Sequence, residues 1–471
     1  MKLWIKTLLM LGSIILVTGA AAAAYTLTVL NSTTQAFKMT YTNAGSKQTE
    51  KIIKATKPLT ILIMGIDTGG AGRGTADSWN GNSDSQILIT LDPTKKTTTM
   101  VSVERDTMTN ILDGSGNIVS KEKLNAAYPL GYNAGGGSKG LETGVSYAMK
   151  TIGEQTGINI DNFITMNFDG LINLVNDVGG IDVYNDPNSI APSTPDYPNP
   201  KHEIFISDTE PQYTATIPAG EQHLNGEQAL VYSRDRHHRV GGDYGRQIAQ
   251  RQVIEALMKK MLSLDNITQY QKILNDASKD FKTNIPINTS TISSLLGYKD
   301  CFKKVISIQA RGVGNMVDGV SYEFFPQDVY LAMQNAMRRS LGEDTLTTLP
   351  SNLITYESYF GTASTYYLPS ATVTENGKSM TYGIDTEGNF VNITSQNQDE
   401  FISSTTGSGG GTSSSSTSSS STGTSSSSST ASSSSVDSTT SDTNSGSYGD
   451  SGASSDDSNS YGNNTGTYTG Q

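Results

Sequence analysis

Apolar residues fall along this chain in short blocks set between polar, glycine-rich stretches, and two spacings recur within the blocks. Residues 59–66 (LTILIMGI), 86–91 and 98–103 are near-continuous apolar runs bounded by turn residues, the pattern of strands covered on both faces. Residues 163–168, 181–184 and 303–308 read as further strands. By contrast, 141–155, 171–177, 225–232, 247–264 and 327–341 have helical character. In 247–264, Val253, Leu257, Met261 and Leu264 fall on one face. Strand and helix alternate, which predicts an α/β fold: a central, mostly buried β-sheet flanked by helices as an α/β/α sandwich. Residues 185–211 are proline-rich and aperiodic and are expected to loop over the surface.

The two ends of the chain depart from this pattern. Lys2 and Lys6 precede an uncharged run, 7–30, long enough to cross a bilayer as a helix with its basic end inside. The expected layout is a cytoplasmic stub (1–6), a single-pass transmembrane signal-anchor (7–30), a polar stalk (31–57) and a folded extracytoplasmic domain (58–342). A cleaved signal peptide ending in the alanines at 20–24 is the alternative; apolar character continuing to Leu30 favours the anchor. Residues 343–402 form a less patterned appendage. Residues 403–471, almost wholly Ser, Thr and Gly, offer too little apolar surface to offset ordering entropy and are predicted to be a disordered tail.

Charge narrows the partners. A net charge of −12 with a pI near 4.9 argues against nucleic acid, which needs a cationic face. Cys301 is the only cysteine, so no intrachain disulfide forms, and its strand-like surroundings predict a small buried hydrophobe.

Against the acidic background, Arg234, Arg236, Arg239, Arg246 and Arg251 crowd into one stretch, YSRDRHHRVGGDYGRQIAQRQ. Arginine suits bidentate contact with phosphate oxygens, so the cluster could neutralise a pyrophosphate; the alternative is surface ion pairing with Asp235, Asp243 and Glu255. His237 and His238 are adjacent in a loop, a setting more often solvated than metal-ligating. Asp67 and Asp84 each adjoin an apolar strand, and strand-end carboxylates in an open α/β sheet reach the crevice where ligands gather. Two carboxylates completed by phosphates and water suit Mg²⁺, whereas turn capping is the plainer role. Arg105 and Asp106 follow a strand in SVERDT and can reach the same crevice.

In order, the chain carries GIDTGGAGR, NSDSQILITLDP, SVERDT, KLNAAY, MNFDGLINLVNDVGGIDV, AGEQHLNGEQALVYSRDR and GDYGRQIAQRQVI. Over roughly 58–342 this series resembles the LytR-CpsA-Psr family of cell-wall glycopolymer ligases. The resemblance implies a membrane-held phosphotransferase moving a glycopolymer, such as teichoic acid or capsule, from a polyprenyl-pyrophosphate lipid to a peptidoglycan hydroxyl, with the muramic acid 6-OH as attacking group. It also implies that Asp67 and Asp84 hold Mg²⁺, with Mn²⁺ as the alternative, and that Arg105, Arg234, Arg236 and Arg246 grip the pyrophosphate. Arg73, Lys123, Asp243 and Gln250 match neighbouring site positions, and Asp106 is the candidate general base.

Two departures stand out: Asn82 replaces a common arginine in a loop lengthened by 75–80, and Glu104 replaces a usual proline, read here as a loop detail. A lipid-pyrophosphate hydrolase using the same site and a non-enzymatic envelope sensor or wall-binding protein are the competing functions.

Overall fold

A computed structural model describes residues 42, 53–68, 79–204, 213–264, 269–270, 273, 276, 279–286 and 289–401. The expected anchor, Arg73 and the serine-rich tail lie outside the described residues. Among those described, no helix is long and apolar enough to cross a membrane.

The described elements begin with β1 (Leu59–Ile66), β2 (Ser83–Asp92), β3 (Thr97–Ser102) and a hairpin of β4 (Met108–Leu112) and β5 (Ile118–Lys123). Helices α1 (Ala127–Gly135) and α2 (Gly140–Thr156) lead to β6 (Asn162–Met166), α3 (Phe168–Asp177) and β7 (Ile181–Asn185). Next come β8 (Gly220–Leu224), α4 (Gly226–Arg234), α5 (Asp243–Leu262), β9 (Phe281–Thr283) and α6 (Thr289–Leu296). The final part comprises β10 (Lys304–Gln309), β11 (Val313–Val317), β12 (Val320–Phe324), α7 (Gln327–Leu341), α8 (Tyr356–Phe360), β13 (Ser370–Glu375), β14 (Lys378–Ile384) and β15 (Phe390–Asn392).

Nine strands form one mixed sheet in the order β15-β14-β13-β10-β3-β2-β1-β6-β9. β1, β2 and β3 are consecutive and antiparallel, while β6 joins β1 and β10 joins β3 in parallel. The continuous apolar runs are explained by burial on both faces. Ile61 and Ile63 of β1 with Ile87 and Ile89 of β2 pack beneath α3, α4 and α5 in a core that includes Val175, Val231 and Val253. Leu62, Met64, Leu88 and Val101 face the opposite way, onto Val145 and Ile152 of α2 and Val329 and Met333 of α7. Side chains alternate across a strand, so one run supplies two cores, and the α/β/α layering expected from the sequence is present.

The sheet does not stop near Gly342. β13 pairs with β10, β14 with β13 and β15 with β14, so part of the segment set apart as an appendage belongs to the central sheet. Ala371 and Ile384 are buried in its core. Cys301 is buried, and desolvation pushes its thiol up to about 11, so it stays neutral and behaves as a hydrophobe.

Candidate functional site

Four elements meet at one end of β1, and each changes from charged to apolar along its length. On β1 and its exit, Asp67 gives way to Gly65 and Ile63; on β2, Asp84 and Ser85 give way to Ile87. Arg234 and Ser233 precede Leu230 on going back along α4, and Arg246 and Gln250 precede Val253 and Ile254 on going forward along α5. All line a single cleft, joined by Met166, Phe168 and Leu171 from β6 and α3. Counted out to its open mouth, the space is ≈ 660 Å³, within the size range of ligand clefts. The cleft therefore has a charged rim and an apolar interior, the lining an amphiphile with an anionic head would require. Of the apolar face expected on the long helix, Val253 lines the cleft, whereas Leu257 is core and Met261 packs against it.

Asp67 and Asp84 share the cleft because β1 and β2 are hydrogen-bonded neighbours. The Asp67 amide donates to the Asn82 carbonyl at 2.9 Å, and a Cβ on Gly81 would lie 2.3 Å from the Asp67 carbonyl oxygen. Only glycine allows that approach, so Gly81 and Asn82 lie tightly against Asp67. Asp84 accepts from Asn125 at 3.1 Å and pairs with Arg105 at 3.6 Å. Among the described residues, no group of three or more His, Cys, Asp or Glu side chains forms a metal cage. Two carboxylates facing one cleft nevertheless fit an ion completed by substrate phosphates, as the donor chemistry of Mg²⁺ requires.

The expected cations divide into separate groups. Arg234 and Arg246 line the cleft, Arg234 with its guanidinium 4.4 Å from the Phe168 ring centroid. Arg246 pairs with Asp243 at 2.6 Å, and Arg105 approaches the same Asp243 oxygen at 3.9 Å. Gln250 is fixed on the rim by a 3.1 Å bond from the Ser85 hydroxyl.

Of the expected site residues described, Arg105, Asp243, Arg236, Lys123 and Asp106 lie outside the cleft lining, and the last three are engaged elsewhere. Arg236, expected in the grip, is exposed and donates to His237 Nε2 at 3.2 Å, because α4 ends at Arg234 and the chain leaves it in an extended conformation at Asp235. Lys123 holds Asp106 at 2.9 Å and lies over the Tyr322 ring rather than on the cleft wall. Asp106, held also by Arg105 at 3.4 Å, is outside the cleft lining, so its geometry suits fixing Arg105 better than taking a proton in the cleft.

The other arginines of the cluster serve the fold. Arg239 is buried over the Tyr232 ring and donates to its carbonyl at 2.8 Å. Arg251 is 2% exposed and points into the sheet, donating to Ser307 and Ser102 at 2.7 Å and to Gln309 Oε1 at 2.9 Å. His237 stacks on Tyr197 and His238 is held by Asp235 at 2.8 Å.

Glu104, read from the sequence as a loop detail, is 4% exposed and sits where the site meets the sheet. Burial first, then the charges of Asp243 and Asp106, push its carboxyl up to about 8. Its partner is Gln247, whose amide N–H group donates both to Glu104 and, at 3.4 Å, to Asp243. Gln247 Oε1 in turn accepts from Gln309 at 3.5 Å, and Gln309 Oε1 accepts from Arg251. Because arginine only donates, it fixes the direction of both amides and delivers donors to the two carboxyls. The available sequence signal was Gln247, one helical turn before Arg251 and therefore on its face.

This α/β/α domain, with arginines and paired carboxylates at the strand ends, belongs to the LytR_cpsA_psr family, whose model matches residues 26–339. The chain is 37% identical over 379 residues to Biofilm regulatory protein A of Streptococcus mutans, covering 80% of this chain and 87% of that protein. It is 36% identical over 296 residues to the Enterococcus faecalis polyisoprenyl-teichoic acid–peptidoglycan teichoic acid transferase TagU, covering 63% and 84% of the two chains. Among solved structures, protein gbs0355 of Streptococcus agalactiae shares 39% identity at a TM-score of 0.53, covering 65% of this chain and 95% of that one.

Proposed function

We propose that this chain is a transferase that moves an anionic glycopolymer, or its phosphosaccharide, from a polyprenyl-pyrophosphate carrier to a peptidoglycan hydroxyl outside the cell membrane. The polarity gradient of the cleft is the observation that carries this reading: arginines and carboxylates at the rim suit a pyrophosphate, and the apolar interior suits a prenyl chain. The relative named TagU carries teichoic acid in its name, which makes a teichoic-acid-type polymer the first cargo to test.

In this mechanism Arg234 and Arg246 bind the pyrophosphate oxygens through charge-assisted hydrogen bonds. Arg105 reaches toward the same centre from its pairs with Asp84 and Asp243. Asp67 and Asp84 would hold Mg²⁺, or Mn²⁺ in its place, which when bound neutralises charge on the phosphate oxygens. The acceptor hydroxyl oxygen forms a bond to the phosphorus nearer the glycan, and the bond from that phosphorus to the bridging oxygen breaks. Its electron pair leaves with polyprenyl phosphate, which in net balance takes up the hydroxyl proton. Preorganised positive charge around the pyrophosphate is the main contribution such a site makes to phosphoryl transfer.

The test is a transfer assay with the full-length chain, Mg²⁺, a polyprenyl-pyrophosphate-linked saccharide and peptidoglycan oligomers, run beside Arg234→Ala. Saccharide joined to glycan, and lost in the variant, is the expected result. Free phosphorylated saccharide without adduct would mark a hydrolase, and no lipid turnover under any condition would favour a non-enzymatic envelope protein.

A further inference from the structure

We infer that Glu104 is a positioning residue of the arginine site: its buried carboxyl shares the Gln247 amide with Asp243, and this holds Asp243 where it sets Arg246 on the cleft wall and Arg105 beside it. The inference rests on the cleft being a pyrophosphate site, and it concerns a residue that does not itself line the cleft.

The geometry starts from Arg251. Its three hydrogen bonds tie α5 to β3 and β10, and through Gln309 they leave the Gln247 amide only one orientation, nitrogen toward the carboxyls. That nitrogen bridges Glu104 and Asp243. Asp243 is the shared anchor of Arg246 and Arg105, so whatever holds Asp243 also sets both guanidinium groups.

The charges around Glu104 explain why the neutral form suits this arrangement. On its own segment stand Arg105 and Asp106, and Arg105 is already engaged by Asp84, Asp106 and Asp243. From α5 come Asp243 and Tyr244, and from β12 comes Glu323, whose carboxyl accepts from the Tyr244 hydroxyl. Arg311 lies over the Tyr244 ring, directed at that tyrosine rather than at Glu104. Lys123 is occupied by Asp106. An ionised Glu104 would therefore add a carboxylate to a group of three, with no cation of its own among the described partners. It would compete with pyrophosphate for Arg105 and Arg246.

Titrating a short-chain prenyl pyrophosphate, with Mg²⁺, into the full-length chain and into Glu104→Gln between pH 6 and 9 tests the inference. The expected result is a loss of about tenfold in affinity for the unaltered chain across that range, the scale of one unit charge placed near a phosphate, and no such loss in Glu104→Gln. Gln247→Leu, which keeps Glu104 but removes the bridge, should weaken binding at every pH while the circular dichroism spectrum is retained. An alkaline loss of equal size in Glu104→Gln, or full affinity in Gln247→Leu, would overturn the inference. If the unaltered chain bound at no pH, the proposed function itself would fail, an outcome distinct from a pH profile that ignores Glu104.

Discussion

Glu104→Gln should change the stability of the fold in a way that depends on pH, whatever the protein does with its cleft. In the fold the Glu104 carboxyl is pushed from an ordinary 4.5 up to about 8, by burial first and then by Asp243 and Asp106. In the unfolded chain it titrates near the usual carboxylate value. Between those two values the folded chain holds a proton that the unfolded chain has released, so raising the pH favours unfolding across this window. Each pH unit crossed corresponds to ~1.4 kcal/mol, so moving from pH 5 to pH 8 costs the unaltered protein about 3–4 kcal/mol at this group. Glutamine has no such transition. Thermal melts of both proteins at pH 5.5, 6.5, 7.5 and 8.5 should show nearly matched midpoints at the acid end and a gap that widens in favour of Glu104→Gln toward pH 8. The gap should reach on the order of 4–6 °C for a domain of this size. A gap that stays constant over the series would refute the reasoning, because it would mean that Glu104 is ionised in the fold from the start.

Arg251→Met removes a buried cation but strands the acceptors of Ser102, Ser307 and Gln309 and releases the amide relay; a destabilisation of roughly 2–4 kcal/mol is expected in urea unfolding. Gly81→Ala puts a methyl 2.3 Å from the Asp67 carbonyl oxygen, so the strand-end loop must shift. Mg²⁺-dependent transfer should fall about tenfold or more, with the melting temperature little changed, as a transfer assay paired with a melt would show.

The central sheet was legible because β1, β2 and β3 are covered on both faces and therefore appear as apolar runs. The outer strands were not. β13 and β14 carry the half-buried Thr372 and Thr374 and the exposed Ser379 and Thr381, and so lack the density of apolar residues that marked the centre. Asp67 and Asp84 could be singled out from residue type and position, but the arginine cluster could not be sorted that way, and the choice of Arg234, Arg236 and Arg246 rested on the family resemblance. On α5, Arg246 and Gln250 form one stripe facing the cleft, and Gln247 and Arg251 form the adjacent stripe bonded to the sheet and to Glu104. The two stripes are only one residue apart, and both are polar and buried. Which stripe meets ligand and which meets protein depends on contacts with β3 and β10, hundreds of ångströms of chain contour apart from each other.

The hairpin formed by β13 and β14 has a further role. β10 supplies Ser307 and Gln309, the partners of Arg251, and its other edge is covered by β13 through six residue pairs. Ending the protein after α7 would leave β10 as an open edge, free to twist, fray or recruit a foreign strand. The strand carrying the first hydrogen bonds of the relay would then be the least restrained in the sheet. The last described strands are thus a splint for a cleft whose described lining they do not join, and the smallest unit that keeps that cleft in register extends well beyond the segment in which its described lining residues are found.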